Sequence, residues 1–224
     1  MLMTMPMTEV GFFSKAKKFD EPTDEEYIGN SLLFIIHMPT IKSIICLLST
    51  TLLVKADLVT TKTLDDFDST RVIGNWMTVN DGVMGGLSKG GSVVSKKNTL
   101  MFNGKISLQN NGGFSSVRTS GKTHDLSAYT GIELKVKGDG RKYYLTTRTG
   151  GNRMLAYWSP IQPAKGEWAI VRIPFKSFYA TYFGNKVPTF KLNTKKVSSV
   201  GFMLYDKKDG DFQIEVESIK VYKK

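Results

Sequence analysis

The sequence predicts an all-β domain of the sandwich or jelly-roll kind, on three observations. From about Leu64 onward apolar residues recur with a period of two, the pattern of a strand with one face in a core. Glycine-rich clusters punctuate these runs at Asn111-Gly112-Gly113, Gly138-Asp139-Gly140, Gly150-Gly151-Asn152 and Asp209-Gly210. No stretch of residues 57–224 carries an apolar stripe at the helical spacing of 3.6. About eight to ten short strands with regular turns fit a β-sandwich or jelly roll. A domain of this size hides roughly 70% of its unfolded surface, enough for an independent core.

The elements follow in chain order. Leu100, Phe102, Gly104, Ile106 and Leu108 alternate with polar residues and predict one strand. Ile132, Leu134 and Val136 alternate with Glu133, Lys135 and Lys137 and predict another. With the turn at 138–140 and a strand over 141–148, this second run predicts a hairpin. A short helical turn is expected around Pro174–Ala180, and the irregular stretch Phe183–Lys196 is a candidate functional or mobile loop. In the last run Phe212, Ile214 and Val216 are in phase, whereas Ile219 and Val221 fall on odd offsets. A bulge near Ser218 restores their inward direction.

The 224 residues carry 31 Lys and Arg against 20 Asp and Glu, a net charge of +11. Hydrophobic content of 41% and charged content of 23% are those of a folded domain and exclude wholesale disorder or a multi-span membrane protein. The single cysteine, Cys46, excludes a disulfide scaffold and a cysteine-based zinc site, and two histidines leave little for histidine-based metal chemistry. No cofactor motif is present.

The first 56 residues differ in character, with five lysines, six acids and no arginine. Within Met38–Ala56, Lys42 precedes an apolar run from Ile44 to Val54, and Val54 and Ala56 sit at −3 and −1 of a cleavage before Asp57. That is the pattern of a secretory signal, too short for a membrane span of about 20 residues. It predicts residues 38–56 as a signal peptide or anchor, residues 1–37 as a leader of uncertain status, and 57–224 as a single domain. Either Met38 is the true start or residues 1–37 form an unusual n-region. Cleavage predicts a periplasmic or extracellular protein; an uncleaved segment predicts membrane association or a cytoplasmic one.

Several blocks are distinctive: Trp76 to Ser88, containing Asn80-Asp81-Gly82 and Met84-Gly85-Gly86; Phe102 to Arg118, containing Asn110-Asn111-Gly112-Gly113; and Lys137 to Tyr143, containing Gly138-Asp139-Gly140-Arg141. Together with Trp168–Phe175 and Gly210–Phe212 they resemble the complex I intermediate-associated protein 30 family over roughly residues 64–223. The resemblance implies a galactose-binding-like jelly roll. It also implies a non-catalytic, protein-binding role in assembling NADH:ubiquinone oxidoreductase, with respiratory subunits as partners. It carries over no catalytic residue.

Glycines permit close backbone approach, and Asn and Asp side chains fix tight turns, so the Asn80–Ser88 block reads first as a rigid loop packed by Trp76 and Met84. The functional reading makes it a ligand or partner site at one end of the sandwich. Its candidate residues are Trp76, Asn80, Asp81, Asn110, Asn111, Arg118 and the loop acid Asp139. Trp158 with Tyr157 adds candidates for stacking on a sugar or a partner chain.

Three apparent motifs are decoys. Gly86-Leu87-Ser88-Lys89-Gly90 matches a nucleophile elbow, but no acid lies between Ser88 and His124 and no histidine follows, so a Ser–acid–His order cannot be built. Asp206, Asp209 and Asp211 depart from calcium-loop spacing and stand beside Lys207 and Lys208. The basic charge of residues 57–224 is scattered and accompanied by no nucleic-acid motif. The expectation is a non-enzymatic binding module, either a respiratory-complex assembly factor or, alternatively, an exported carbohydrate- or envelope-binding module.

Overall fold

A computed structural model describes residues 58–68, 73–152 and 154–224. The leader and signal-like segments fall outside the described residues. Among the described residues thirteen strands occur: β1 (Thr60–Asp65), β2 (Asn75–Asn80), β3 (Lys89–Val94), β4 (Leu100–Ile106), β5 (Ser115–Ser120), β6 (Gly131–Lys137), β7 (Tyr143–Thr149), β8 (Leu155–Ile161), β9 (Trp168–Pro174), β10 (Tyr179–Tyr182), β11 (Asn185–Lys186), β12 (Val197–Leu204) and β13 (Gly210–Lys223). They form two sheets in which neighbouring strands run antiparallel. One has the order β3-β4-β13-β6-β9, with β1 also on β13; the other has the order β11-β10-β8-β7-β12-β5-β2. The all-β sandwich follows as the period of two predicts. The excess over eight to ten strands comes partly from β1, whose sequence Thr-Thr-Lys-Thr-Leu-Asp has no apolar alternation, and from the two-residue β11, too short to show a period.

The core fills the space between the sheets. Phe102, Leu134, Ile214 and Val221 from the first sheet meet Val117, Tyr143, Leu145 and Phe202 from the second, all fully buried. Each such side chain contributes about 1.5–3 kcal/mol by leaving water. Trp76 stacks on Phe202 with ring centroids 6.2 Å apart and planes 9° from parallel.

The register of β13 shifts between Val216 and Ser218 where it pairs with β6. This bulge keeps Ile214, Val216, Ile219 and Val221 all inward, as the phase slip predicts. On the outer face, Lys137 and Glu215 sit opposite each other and form an ion pair of 2.6 Å.

Two expectations are corrected. Strands β6 and β7 do not form a hairpin: β6 pairs with β13 and β9, whereas β7 pairs with β8 and β12. Residues 138–142 therefore cross from one sheet to the other. A tight glycine turn looks the same in sequence whether the chain folds back or turns a corner. Second, the strand at Leu100 ends at Ile106, so Leu108 is exposed and a 3₁₀ turn follows at Gln109–Asn111. The helical turn expected near Pro174 is a single 3₁₀ turn, Phe175–Ser177. The stretch after Tyr182 contains β11 and a 3₁₀ turn at Thr194–Lys196.

Candidate functional site: a groove on the outer face of the larger sheet

Alternation sends every second residue of the seven-stranded sheet away from the core. On this outer face stand Val79 of β2, Ser116 and Arg118 of β5, Met203 of β12, Thr146 and Arg148 of β7, and Ala156 and Trp158 of β8. An outward face is ordinarily wet, yet Ala156, Met203 and Ser116 are only 5%, 7% and 8% exposed. They are sheltered because they line a groove of about 430 Å³, whose lining also includes Val83 and Met84 at one side and Phe183 and Gly184 of the β10–β11 turn. Val83, Met84 and Phe183 are 74%, 65% and 63% exposed, large apolar side chains presented to solvent. A second, polar hollow of about 710 Å³ continues from Arg118 and Arg148 toward Ser120, Gly150, Gly151 and Ser198.

The distinctive Asn80–Ser88 block explains one side of this groove. Asp81 is fully buried. Its Oδ1 accepts from the Ser88 amide at 2.9 Å, and its Oδ2 from the amides of Gly113 and Phe114 at 2.6 and 3.2 Å. A Cβ on Gly112 would lie 2.7 Å from Asp81 Oδ2, and one on Gly86 2.5 Å from Oδ1, so glycine is required at both positions. Burial by itself would raise the Asp81 pKa. Hydrogen bonds from Ser88, Gly113 and Phe114 outweigh it and hold the carboxyl below its ordinary value. Asn80 accepts from Ser115 Oγ at 2.6 Å and donates to the Gly90 carbonyl at 3.0 Å. The two loops are thereby locked together and set the position of Val83 and Met84.

Asp139, in a separate cluster, accepts from the Arg141 amide, the Tyr143 hydroxyl and the Gln213 amide at 2.9, 2.9 and 2.8 Å. Burial, then the Asp139 charge, raises the Tyr143 pKa. Arg141 grips Asp206 with two bonds of 2.9 and 2.7 Å and also caps the Gly210 and Asp211 carbonyls. Its hydrogen bond to Asp206 raises the Arg141 pKa, and the partner of the Asp206 carboxylate is thus a guanidinium.

The candidates read from sequence therefore separate. Arg118 and Asn111 line the groove. Asn110 is exposed in a left-handed turn conformation beside it, with φ of 53°. Trp76, Asn80, Asp81 and Asp139 face inward or are engaged in holding loops. Met84 does not pack the loop as expected; it stands on the groove rim. Trp158 lines the groove, whereas Tyr157 points into a small inner cluster with Leu155 and Ala180. Phe183 opens the stretch expected from sequence as a functional or mobile loop, whereas Arg148, Met203 and Tyr205 were not singled out by sequence. Outward alternation places Arg148 and Met203 on a strand face, but the pairing that brings β5, β12 and β7 together is not local.

The decoys resolve physically. The Ser88 hydroxyl is buried and exchanges hydrogen bonds with the Ser107 carbonyl and amide at 3.2 and 3.0 Å, at the start of a strand rather than of a helix. His124 Nε2 donates to the Ile73 carbonyl at 2.9 Å. Among the described residues no group of three or more His, Cys, Asp or Glu side chains is placed to hold a metal ion.

Arg118 and Arg148 are both half-buried. Burial lowers the Arg118 pKa; burial and then the neighbouring Arg118 charge push Arg148 down to about 10. Arg148 Nη1 donates to the Leu155 carbonyl at 3.5 Å.

This architecture defines a galactose-binding-like β-sandwich with a groove across one sheet. The family 11 carbohydrate-binding module of a Clostridium thermocellum cellulosomal cellulase has the same fold, with a TM-score of 0.54 and 21% identity over 73% of this chain and 95% of that one. The same module solved with a β-1,3-1,4-mixed-linked tetrasaccharide gives a TM-score of 0.53 at 21% identity, covering 72% of this chain and 94% of that one. Residues 65–216 match the family model for complex I intermediate-associated protein 30, and the chain belongs to that family. Relatives include the probable complex I intermediate-associated protein 30, mitochondrial, of Caenorhabditis briggsae, 29% identical over 161 residues, 61% of this chain and 46% of that protein. The Mus musculus protein is 32% identical over 107 residues, 45% of this chain and 32% of its own length. The Drosophila melanogaster protein is 26% identical over 181 residues, 69% and 60% of the two chains. The chain thus spans about half or less of the first two and three fifths of the third.

These relatives are named mitochondrial, which overturns the expectation of an exported protein. The physical reason is that the address signal was weak. An apolar run of this length is shared by signal peptides, interfacial segments and buried helices, so one flanking lysine does not decide its destination.

Proposed function

We propose that this domain is a non-catalytic, protein-binding assembly factor for respiratory complex I that acts in mitochondria. The observation that carries the reading is the family match over residues 65–216. The structure is compatible with it: the most distinctive loop is a buried carboxylate cradle, and what that cradle holds out is an apolar rim. Exposed apolar side chains gathered around one groove are typical of surfaces that meet a partner. Val83, Met84 and Phe183 are that surface, with Asn111 and Arg118 as polar contacts beside it.

The test is capture of the tagged full chain from mitochondria, followed by native-gel separation and identification of comigrating complex I subunits. Val83→Asp with Met84→Asp keeps the buried Asp81 cradle and should fold, since both side chains are solvent-facing. The expected result is comigration of wild type with partly assembled complex I and at least tenfold less for the double variant. Wild-type chain running free of every respiratory subunit contradicts the proposal. Equal comigration of the variant moves the contact off this rim.

A further inference from the structure

The outer face of the first sheet is ion-paired along its middle, with Lys135 on Glu217 and Lys137 on Glu215, and turns apolar at its open edge. That edge is β9, whose sole strand partner among the described residues is β6. Its sequence Trp-Ala-Ile-Val-Arg-Ile-Pro holds one charged residue, Arg172. Alternation turns Val171 and Ile173 toward the core and Trp168, Ile170 and Arg172 outward. Trp168 and Ile170 are 40% and 55% exposed. Apart from the pairing with β6, no hydrogen bond reaches the backbone of residues 168–173 among the described residues. In a strand with one neighbour, the amides and carbonyls of alternate residues point to the open side, a ready template for another strand. The other outer strands offer less. Asn80 already donates to the Gly90 carbonyl of β3, β11 has two residues, β1 is mostly polar, and β2 begins and ends on asparagine.

We propose that β9 pairs antiparallel with β9 of a second copy of this chain, about a two-fold axis at Ile170, joining the two six-stranded sheets edge to edge. The strand is self-complementary in that register, which is what names the occupant. With Ile170 opposite Ile170 of the second copy, Trp168 falls opposite Arg172 of the second copy, and the reverse. Both members of this pair are set for it. Arg172 Nε donates to Glu133 Oε2 at 2.8 Å, so the guanidinium brings its own counter-charge. Lys137 Nζ already lies 4.8 Å from the Trp168 ring centroid and is neutralised by Glu215 at 2.6 Å. A guanidinium stacks readily on an indole, and here no uncompensated like charges gather across the join. Other registers are worse. An axis at Arg172 sets two guanidiniums face to face and puts Ile170 opposite Pro174. An axis at Trp168 leaves Ile170 opposite Gly166, outside the strand. The contact lies on the other sheet from the groove, is independent of the assembly reading, and stands or falls separately from it.

The experiment uses the full chain in sedimentation equilibrium, from low micromolar to several hundred micromolar protein. Wild type should show a reversible monomer–dimer equilibrium. Ile170→Lys sets two ammonium groups opposite each other at the axis and should weaken dimerisation at least about tenfold. Ile170 is 55% exposed, so this variant should keep the wild-type circular dichroism spectrum and a cooperative thermal transition. Register is read by cross-linking in a Cys46→Ser background under mild oxidation by diamide. Ile170→Cys should give a disulfide-linked dimer, because directly opposed Cα atoms lie about 4.5–5.5 Å apart. Trp168→Cys alone should not, its two copies standing roughly 13 Å apart, whereas mixed with Arg172→Cys it should. Wild type that stays monomeric throughout overturns the proposal. So does a dimer that persists undiminished in Ile170→Lys. Trp168→Cys linking to itself as readily as Ile170→Cys overturns the register.

Discussion

Asp81 shows how a single residue turns a sequence motif into shape. Its carboxylate gathers three amides from two loops, and two glycines stand where any side chain would collide with it. Asp81→Asn places an NH₂ group against at least one amide donor. The expected cost is about 2–3 kcal/mol, measured by urea unfolding at neutral pH. The pH dependence has a definite sign. Because the folded pKa lies below the unfolded one, the contribution is fully present above the unfolded value near 3.8 and is lost as pH falls through the folded value. Acid unfolding curves of wild type should therefore steepen below about pH 4, and Asp81→Asn should remove part of that slope. Arg141 is the second residue of this kind. Its pair with Asp206 is largely buried, with side chains 14% and 5% exposed, and Arg141→Ala leaves that carboxylate without its partner. A loss of about 3–5 kcal/mol is expected in the same unfolding assay, with a smaller loss for Arg141→Lys. Both residues were visible in sequence as members of glycine-rich blocks. What they hold was not, because most of it lies tens of residues away: the Gly113 and Phe114 amides for Asp81, the Asp206 carboxylate and the Gly210 and Asp211 carbonyls for Arg141.

Strands were the most legible level. The phase slip in the last run predicted a bulge, and the register shift between Val216 and Ser218 supplies it. Inserting one residue between Ser218 and Ile219 would turn Ile219 and Val221 from core to solvent. Both are fully buried, so the variant should fail to fold cooperatively, read as loss of a sharp thermal transition. What sequence did not reveal was partnership. Gly138-Asp139-Gly140 carries the signature of a hairpin, yet it is a corner between sheets held by Arg141 and Asp139. Alternation fixes which residues of a strand share a face; it does not say which strand lies alongside. For the same reason Arg118 was found as a motif residue while Arg148 was passed over, although both face the groove.

At the scale of the whole molecule, the sandwich presents one sheet with ion pairs across its outer face and one sheet with a groove. The first is a solvated surface, where pairs such as Lys135 with Glu217 contribute at most about 1 kcal/mol. The second combines an apolar rim, aromatic walls and the half-buried positive charge of Arg118, which is the composition of a binding surface. The carbohydrate-binding modules share this sandwich at 21% identity, a likeness of fold alone. The family match supports the proposed setting, and the mitochondrial naming of the relatives speaks against the exported one that residues 38–56 suggested. The central claim is that the domain serves complex I assembly. Its most direct test is the amount of fully assembled complex I, quantified on native gels, in cells lacking this gene and in the same cells re-expressing it. The account predicts a clear loss of assembled complex, with restoration by wild-type chain and not by Val83→Asp with Met84→Asp. Unchanged complex I in the cells lacking the gene would contradict it.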